Sequence, residues 1–433
     1  MFKKPNENFV IEGSAGARNL TGELKVGGAK NAALKVLASS LLFTDPIKLT
    51  NVPRIDDIKI MIDLLNDLGQ NADFNDKTVR LGGKKITKTS LNEDLSHKLR
   101  ASIVLTGPLL GRTGGVSFPH PGGCVIGQRP IDIFLNGFQA MGAKIHYDQN
   151  KYHLSAPNGL KGAQLFFPQQ SVTGTETLLM AAVLASGTTV LDNAALEPEV
   201  VSLGQFLINA GAKIHGLGTP TITVSGLGGP LAKKEHSYQT IPDRIEAGSY
   251  LILGALAGKD ILISHCEPRH LTAVIETLKQ IGLKMNIDHS SIRVDNEQPK
   301  FRAINLKTHE YPGFPTDLQA PMAVLLTQAY GQSFIFETIF ENRLSYLDTL
   351  NRQGADTMLL DAHRALINGP RPLKGESLDS PDLRAGLAYI IAALVASGRS
   401  IVHNIHYIDR GYEKVEKKLQ AVGANIKRVS CQG

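Results

Sequence analysis

Six glycines, Gly69, Gly142, Gly211, Gly282, Gly354 and Gly423, divide this chain at a period of about 70 residues, the signature of an internal repeat. Each glycine closes an amphipathic helix pattern. Ahead of that pattern stand a small-residue apolar helix, a Gly or Asp turn and a β-branched strand, legible in NAALKVLASSLLFTDPIKLT, LLMAAVLASGTTVLDN and YIIAALVASGRSIVHN. Six such units build a fold by symmetry, so the informative residues are those where one unit departs from the others. The largest departure is PHPGGCVIGQRP, residues 119–130, in the second unit.

Within each unit the first helix is apolar on nearly all sides and reads as buried, whereas the second is amphipathic and reads as the cover of a sheet. Stretches such as KIHYDQNKYHLSA and KMNIDHSSIRVD alternate apolar with polar residues and read as hairpins. The unit is therefore a β-α-β-α-β-β module of an α/β protein, and three modules around their small helices give a lobe with helices inside and sheets outside. Residues 29–241 are expected to form one lobe, which carries the Cys124 loop. Residues 1–28 and 242–433 are expected to form the other. The segment FVIEGSAGARNLTGELKVGG reads as a strand pair that completes the sixth unit. The chain then crosses between lobes twice, near Gly28 and near Ile241, which makes a hinge and a cleft that can close.

With 42% hydrophobic and 20% charged residues in 433, the chain has the composition of a globular protein. Its net charge of +6 is spread as single Lys and Arg residues, and it has no Trp. That distribution favours a small anionic ligand over nucleic acid, which calls for basic stripes and aromatic platforms. The start MFKKPNENFVIEG lacks the apolar stretch of a signal peptide, and apolar segments such as AGLAYIIAALVASG are too short to span a bilayer. A cytoplasmic protein without membrane partners is expected, monomeric because both lobes read as self-contained. Three cysteines, Cys124, Cys266 and Cys431, lie too far apart for a zinc site or a disulfide framework.

Polar residues open each apolar helix: Lys30 and Asn31, Arg100, Thr173 and Thr175, Asp243 and Arg244, Thr316 and Asp317, Asp382 and Arg384. Asp243, Thr316 and Asp382 read equally as plain N-caps. Lys30, Arg100, Arg244 and Arg384 oppose the helix dipole, so they point to a bound phosphate or carboxylate, and symmetric modules make these helix starts converge. Cys124, behind Gly122 and Gly123 and near Arg129, sits in a loop too polar to bury a structural thiol, where a cation lowers the thiol pKa. Cys266 and Cys431 read as structural or incidental. Asp317 in FPTDLQAP is the candidate base. Arg343 in FENRL and Arg410 in IDRGYE occupy the loop position that holds Cys124 in the second unit.

The motifs GAKNAAL, LRASI, PGGCVIGQRPID, SVTGTETLLMAA, EPEVV, PDRIEAG, FPTDLQA, FENR, DLRA and HYIDRGYE, in this order from about Phe9 to Val429, resemble the UDP-N-acetylglucosamine 1-carboxyvinyltransferases of the EPSP synthase superfamily. The resemblance implies a two-lobed inside-out α/β barrel of six repeats, three per lobe. It implies transfer of the enolpyruvyl group of phosphoenolpyruvate to the 3′-hydroxyl of UDP-N-acetylglucosamine, the first committed step of peptidoglycan synthesis, with no metal or organic cofactor. Matched residue by residue, Cys124 is the acid toward the phosphoenolpyruvate methylene and the site of a covalent adduct, and Asp317 is the base. Lys30 and Asn31 match the phosphoenolpyruvate-binding pair, Arg129 and Arg410 the phosphate contacts, and Arg343 and Arg384 cations near the pyruvyl carboxylate. Arg100, Pro130, Ile131, Asp132, Ile133, Gln169, Gln170, Ser171, Val172 and Ile339 match UDP-sugar contacts, with Asp132 reading the uracil.

The chain departs from the family pattern at His120 and Pro121, which read as an insertion at the foot of the loop, and at Phe134, Gln169 and Leu196, where His, Lys and Arg are common. A 5-enolpyruvylshikimate-3-phosphate synthase is the nearest alternative enzyme, but its Gly-Asn-Ala-Gly-Thr signature is absent. An RNA 3′-terminal phosphate cyclase-like protein would need a nucleophilic His and a basic groove. A catalytically silent UDP-sugar-binding paralogue is disfavoured by the retention of Cys124, Asp317, Lys30 and the arginines.

Overall fold

The computed structural model describes residues 7–82, 85–122, 130–231, 236–295 and 300–430. They divide into two compact units, one of residues 28–122 and 130–241 and the other of residues 7–27 and 242–430. We refer to them as the Lys30 unit and the Asp317 unit. Each has its own apolar core, and among the described residues no helix is long and apolar enough to cross a membrane.

The third repeat shows the module in full. Strand Gln164–Phe166 leads into helix Val172–Leu184, which is buried from Gly174 to its end. The chain returns in strand Thr188–Asp192, parallel to the first with Leu191 beside Leu165, covers the sheet with helix Pro198–Asn209, and ends in the hairpin Lys213–His215 and Thr221–Ser225. A helix buried all round can only be apolar all round, which is why this sequence reads TLLMAAVLA. All six glycines of the period adopt positive φ, from 91° at Gly142 to 107° at Gly282, the left-handed conformation that ends a helix without a Cβ clash.

Three repeats take a strand from elsewhere in the chain. The first repeat's lead strand is His236–Gln239, parallel to Ile47–Thr50 with Tyr238 beside Leu49. The fourth repeat's is Leu20–Lys25, parallel to Gly258–Ser264. The sixth is completed by Glu7–Glu12, which pairs antiparallel with both Arg399–His403 and Ile426–Ser430. The two N-terminal strands are therefore not the strand pair that the segment reads as; they belong to different sheets. Their connection is captured by the end of helix Leu383–Val395 instead: the Ser14 amide donates to Leu394 O and the Ala15 amide to Ala396 O, at 2.9 Å each. A Cβ on Gly13 would lie 2.0 Å from Ala396 O.

The second repeat breaks the pattern. Among the described residues its lead strand is reduced to a single bridge, Ser90 to Ser117, and its sheet has three strands where the others have four. Its central helix is interrupted: helix Glu93–Lys98 ends at Leu99, a 3-10 turn runs Arg100–Leu105, and helix Thr106–Thr113 follows. Arg100 stands at that interruption.

Candidate active site

In the Asp317 unit the starts of three central helices meet, and their charges are paired. Asp317, in the 3-10 turn Thr316–Leu318, accepts from Arg343 at 2.8 Å through Oδ1 and from Arg384 Nε at 3.0 Å through Oδ2. Arg384 also donates to the Tyr412 hydroxyl at 2.9 Å. Both guanidiniums are buried, at 4% and 7% side-chain exposure, while Asp317 keeps 26%. The carboxylate is thus the solvent-facing member of the cluster. Burial lowers the affinity of the Arg384 guanidinium for its proton, but Asp317, Tyr412 and Asp243 outweigh it and hold the group above its ordinary range.

The sequence motifs did not reveal what holds this cluster in place. Thr316 is not an N-cap: its hydroxyl donates to Glu337 at 2.8 Å and accepts from Arg343 at 3.0 Å. Glu337, fully buried, accepts the amides of Ile339 and Phe340 at 2.9 and 3.2 Å, and so shapes the loop that carries both Ile339 and Arg343. Asp243 and Asp382 are N-caps. Each accepts two amides of its helix, Asp243 from Ile245 and Glu246 and Asp382 from Arg384 and Ala385. Arg410 closes the 3-10 turn Ile405–Arg410, two residues before Tyr412. The only legible signal for Glu337 was its place beside FENR; a buried partner of this kind leaves no periodicity.

In the Lys30 unit the candidate residues lie on helix starts and loops. Lys30 begins helix Lys30–Ser39 and donates to Asp57 at 3.2 Å, with Asp57 only 3% exposed. Asn31 follows it, half-buried. Arg100 donates to Pro121 O at 3.1 Å, at the foot of the 119–130 loop. Gly122 packs so closely that a Cβ would lie 2.4 Å from His97 O. Pro130 is exposed and Ile131 buried; Asp132, exposed, opens helix Asp132–Ala140, with Ile133 half-buried and Phe134 packed in the core. Gln169 is exposed, Gln170 donates to Ala194 O at 3.3 Å, and Ser171 caps the Val172 helix by accepting the Gly174 amide at 3.1 Å. Cys124, Arg129 and Cys431 lie outside the described residues. Cys266 is buried, and burial pushes its thiol up to about 11, which fits an inert residue.

Chemically, the Asp317 cluster offers one accessible carboxylate fixed by two buried cations, and the Lys30 unit offers helix-start amides and cations suited to anionic groups. The family model for EPSP synthase (3-phosphoshikimate 1-carboxyvinyltransferase) matches residues 15–419. The chain is 43% identical over 427 residues to the UDP-N-acetylglucosamine 1-carboxyvinyltransferase of Solibacter usitatus, covering 98% of this chain and 100% of that one. It is 44% identical over 411 residues to the enzyme of the same name from Helicobacter pylori, covering 95% and 97%. Among solved structures it is similar to the enolpyruvyl transferase NikO from Streptomyces tendae, with a TM-score of 0.88 at 22% identity over 99% of this chain and 100% of that one. Likeness to the EPSP synthase of Acinetobacter baumannii gives a TM-score of 0.72 at 17% identity over 98% and 100%.

Proposed function

The chain belongs to the UDP-N-acetylglucosamine 1-carboxyvinyltransferases of the EPSP synthase family, and we propose how its residues carry that activity, the transfer of the enolpyruvyl group of phosphoenolpyruvate to the 3′-hydroxyl of UDP-N-acetylglucosamine with release of phosphate. The observation that carries the residue assignment is the Asp317 carboxylate held between two buried arginines. In this reading Asp317 takes the proton of the sugar 3′-hydroxyl as its oxygen bonds to C2 of phosphoenolpyruvate, and the Cys124 thiol delivers a proton to the C3 methylene. Removal of a C3 proton then restores the double bond as the C2–O bond to phosphate breaks. The same thiolate accounts for a covalent adduct at C2.

Lys30, Asn31, Arg129 and Arg410 hold phosphoenolpyruvate, and Arg343 and Arg384 orient Asp317 and balance the pyruvyl carboxylate. Arg100, residues 130–133 and 169–172, and Ile339 bind the UDP-sugar. We place the reaction in the cytoplasm, at the entry to peptidoglycan synthesis, in a monomer. On this reading a fosfomycin-type epoxide alkylates Cys124.

Phosphate release from phosphoenolpyruvate, with UDP-N-acetylglucosamine or shikimate 3-phosphate as acceptor, tests the proposal for the wild type and for Cys124→Ser. The expected result is release with the UDP-sugar alone, lost in the variant. Release with neither acceptor leaves a silent UDP-sugar-binding protein; undiminished release by Cys124→Ser removes the thiol from the mechanism.

A further inference from the structure

The Lys30 unit buries an ion pair that the reaction does not use. Lys35, on helix Lys30–Ser39, places Nζ 2.8 Å from Glu176 Oε2 on helix Val172–Leu184, with side-chain exposures of 5% and 0%. Beyond this lysine, neither Glu176 oxygen has a donor among the described residues. Ionising a fully buried carboxylate is costly when one lysine is its partner.

Its surroundings make it responsive to charge. Lys35 faces it from its own helix, Glu199 from the outer helix Pro198–Asn209 and Glu197 from just before that helix. Tyr238, on the His236–Gln239 strand, feels the same field. Other charged neighbours are engaged elsewhere: Arg112 with Leu42 O, Arg100 with Pro121 O, and Asp192 with Gln164 and Thr221. Asp132, on the helix packed beside Val172–Leu184, acts on Tyr152. Burial pushes Glu176 up to about 7, Lys35 opposing the rise and Glu199 and Glu197 adding to it.

The segment carrying Glu197 is tied to the residues assigned to the UDP-sugar. Gln170 donates to Ala194 O, and the Thr175 hydroxyl accepts the Ala195 amide at 3.0 Å. Glu176 itself lies four residues into the helix that Ser171 caps, about 6 Å below its first residue at 1.5 Å per residue. We propose that Glu176 is a positioning residue for the UDP-sugar, its protonation relaxing the repulsion from Glu197 and Glu199 and letting the 194–199 segment hold Gln170 and Ser171 against the ligand. This rests on the assignment of residues 169–172 above. The ligand's own negative charge favours the protonated carboxyl, so binding takes up a proton.

Calorimetric titration of UDP-N-acetylglucosamine into the enzyme, repeated in buffers of different ionisation enthalpy near neutral pH, reads that proton directly. Expected are net uptake by the wild type, a Kd that weakens about three- to tenfold as pH rises through neutrality, and loss of both in Glu176→Gln with binding retained. Zero uptake by the wild type overturns the proposal whether or not the variant folds, as does uptake that persists in Glu176→Gln. Failure of the wild type to bind the UDP-sugar at any pH would instead overturn the functional assignment.

Discussion

Glu176 and Glu246 stand in the early turns of two central helices, one in each unit, and both are buried, at 0% and 5% exposure. Their companions differ. Glu246 accepts from the Gly27 amide at 2.6 Å, the Tyr250 hydroxyl at 2.8 Å and Lys418 at 2.6 Å, whereas Glu176 has one lysine and feels two further acids. Burial pushes the Tyr250 phenol well above its ordinary range, with Glu246 adding to the effect, so it remains a donor. Two carboxyls at the same depth can thus differ widely in the donors around them.

Removing the best-supplied carboxylate tests this most severely. Asp317→Asn takes away both the candidate base and the counter-charge of two buried guanidiniums. Turnover should fall by about 10²–10⁴, the usual share of a general base. Unfolding stability should drop by about 3 kcal/mol, since breaking a buried pair leaves its partner uncompensated. Phosphate release and a denaturant titration measure the two separately. A variant with full stability would mean that Arg343 and Arg384 have other partners as good as Asp317.

The poorly supplied carboxyl should show itself through pH. With Glu176 at about 7 in the folded protein against an ordinary 4.5, the folded state holds this proton more tightly than the unfolded chain. Its contribution to stability is fully present below about pH 4.5, declines as pH rises and is lost above about pH 7, on the order of 3 kcal/mol in all. The difference in unfolding free energy between wild type and Glu176→Gln, followed across that window, isolates it from other titrating groups. A difference that stays constant with pH would show that folding leaves the proton affinity of Glu176 unchanged.

How far the sequence foretells these features depends on whether they repeat. The six helix-closing glycines, the buried helices and the hairpins recur every unit, so a period exposes them, and the caps at Asp243 and Asp382 follow from residue type. Strand exchange leaves no such mark: Leu20–Lys25 and Glu7–Glu12 read as one strand pair, and only pairing into different sheets separates them. Asp317, Arg343 and Arg384 were each legible as site candidates, yet nothing in their spacing announces that one carboxylate binds both arginines. Lys35 and Glu176 read as stray charges in apolar helices, because a buried partnership between distant residues has no local pattern.

Glu246→Gln sharpens the comparison at moderate scale. The amide keeps one acceptor but turns a second donor toward the Gly27 amide or Lys418, so about 2 kcal/mol of stability should be lost. Chemical denaturation measures it, and an unchanged stability would mean that the donors around Glu246 contribute nothing to the fold.

The smallest effect concerns the helix caps, where the same inequality of supply recurs. Asp382 accepts two amides at the start of its helix, at 2.7 and 3.1 Å, and its negative charge faces the positive end of the dipole; Ser171 accepts one, at 3.1 Å, and carries no charge. Asp382→Ala should therefore cost about 1–2 kcal/mol and Ser171→Ala about 0.5–1, both within the range of lost N-caps. The order matters more than either value. Asp382 also fixes the turn from which Arg384 reaches Asp317, so its removal should lower turnover, whereas Ser171→Ala should mainly raise the KM for the UDP-sugar. Equal losses of stability, with KM unchanged for Ser171→Ala, would mean that the two helix starts differ in sequence but not in how they are held.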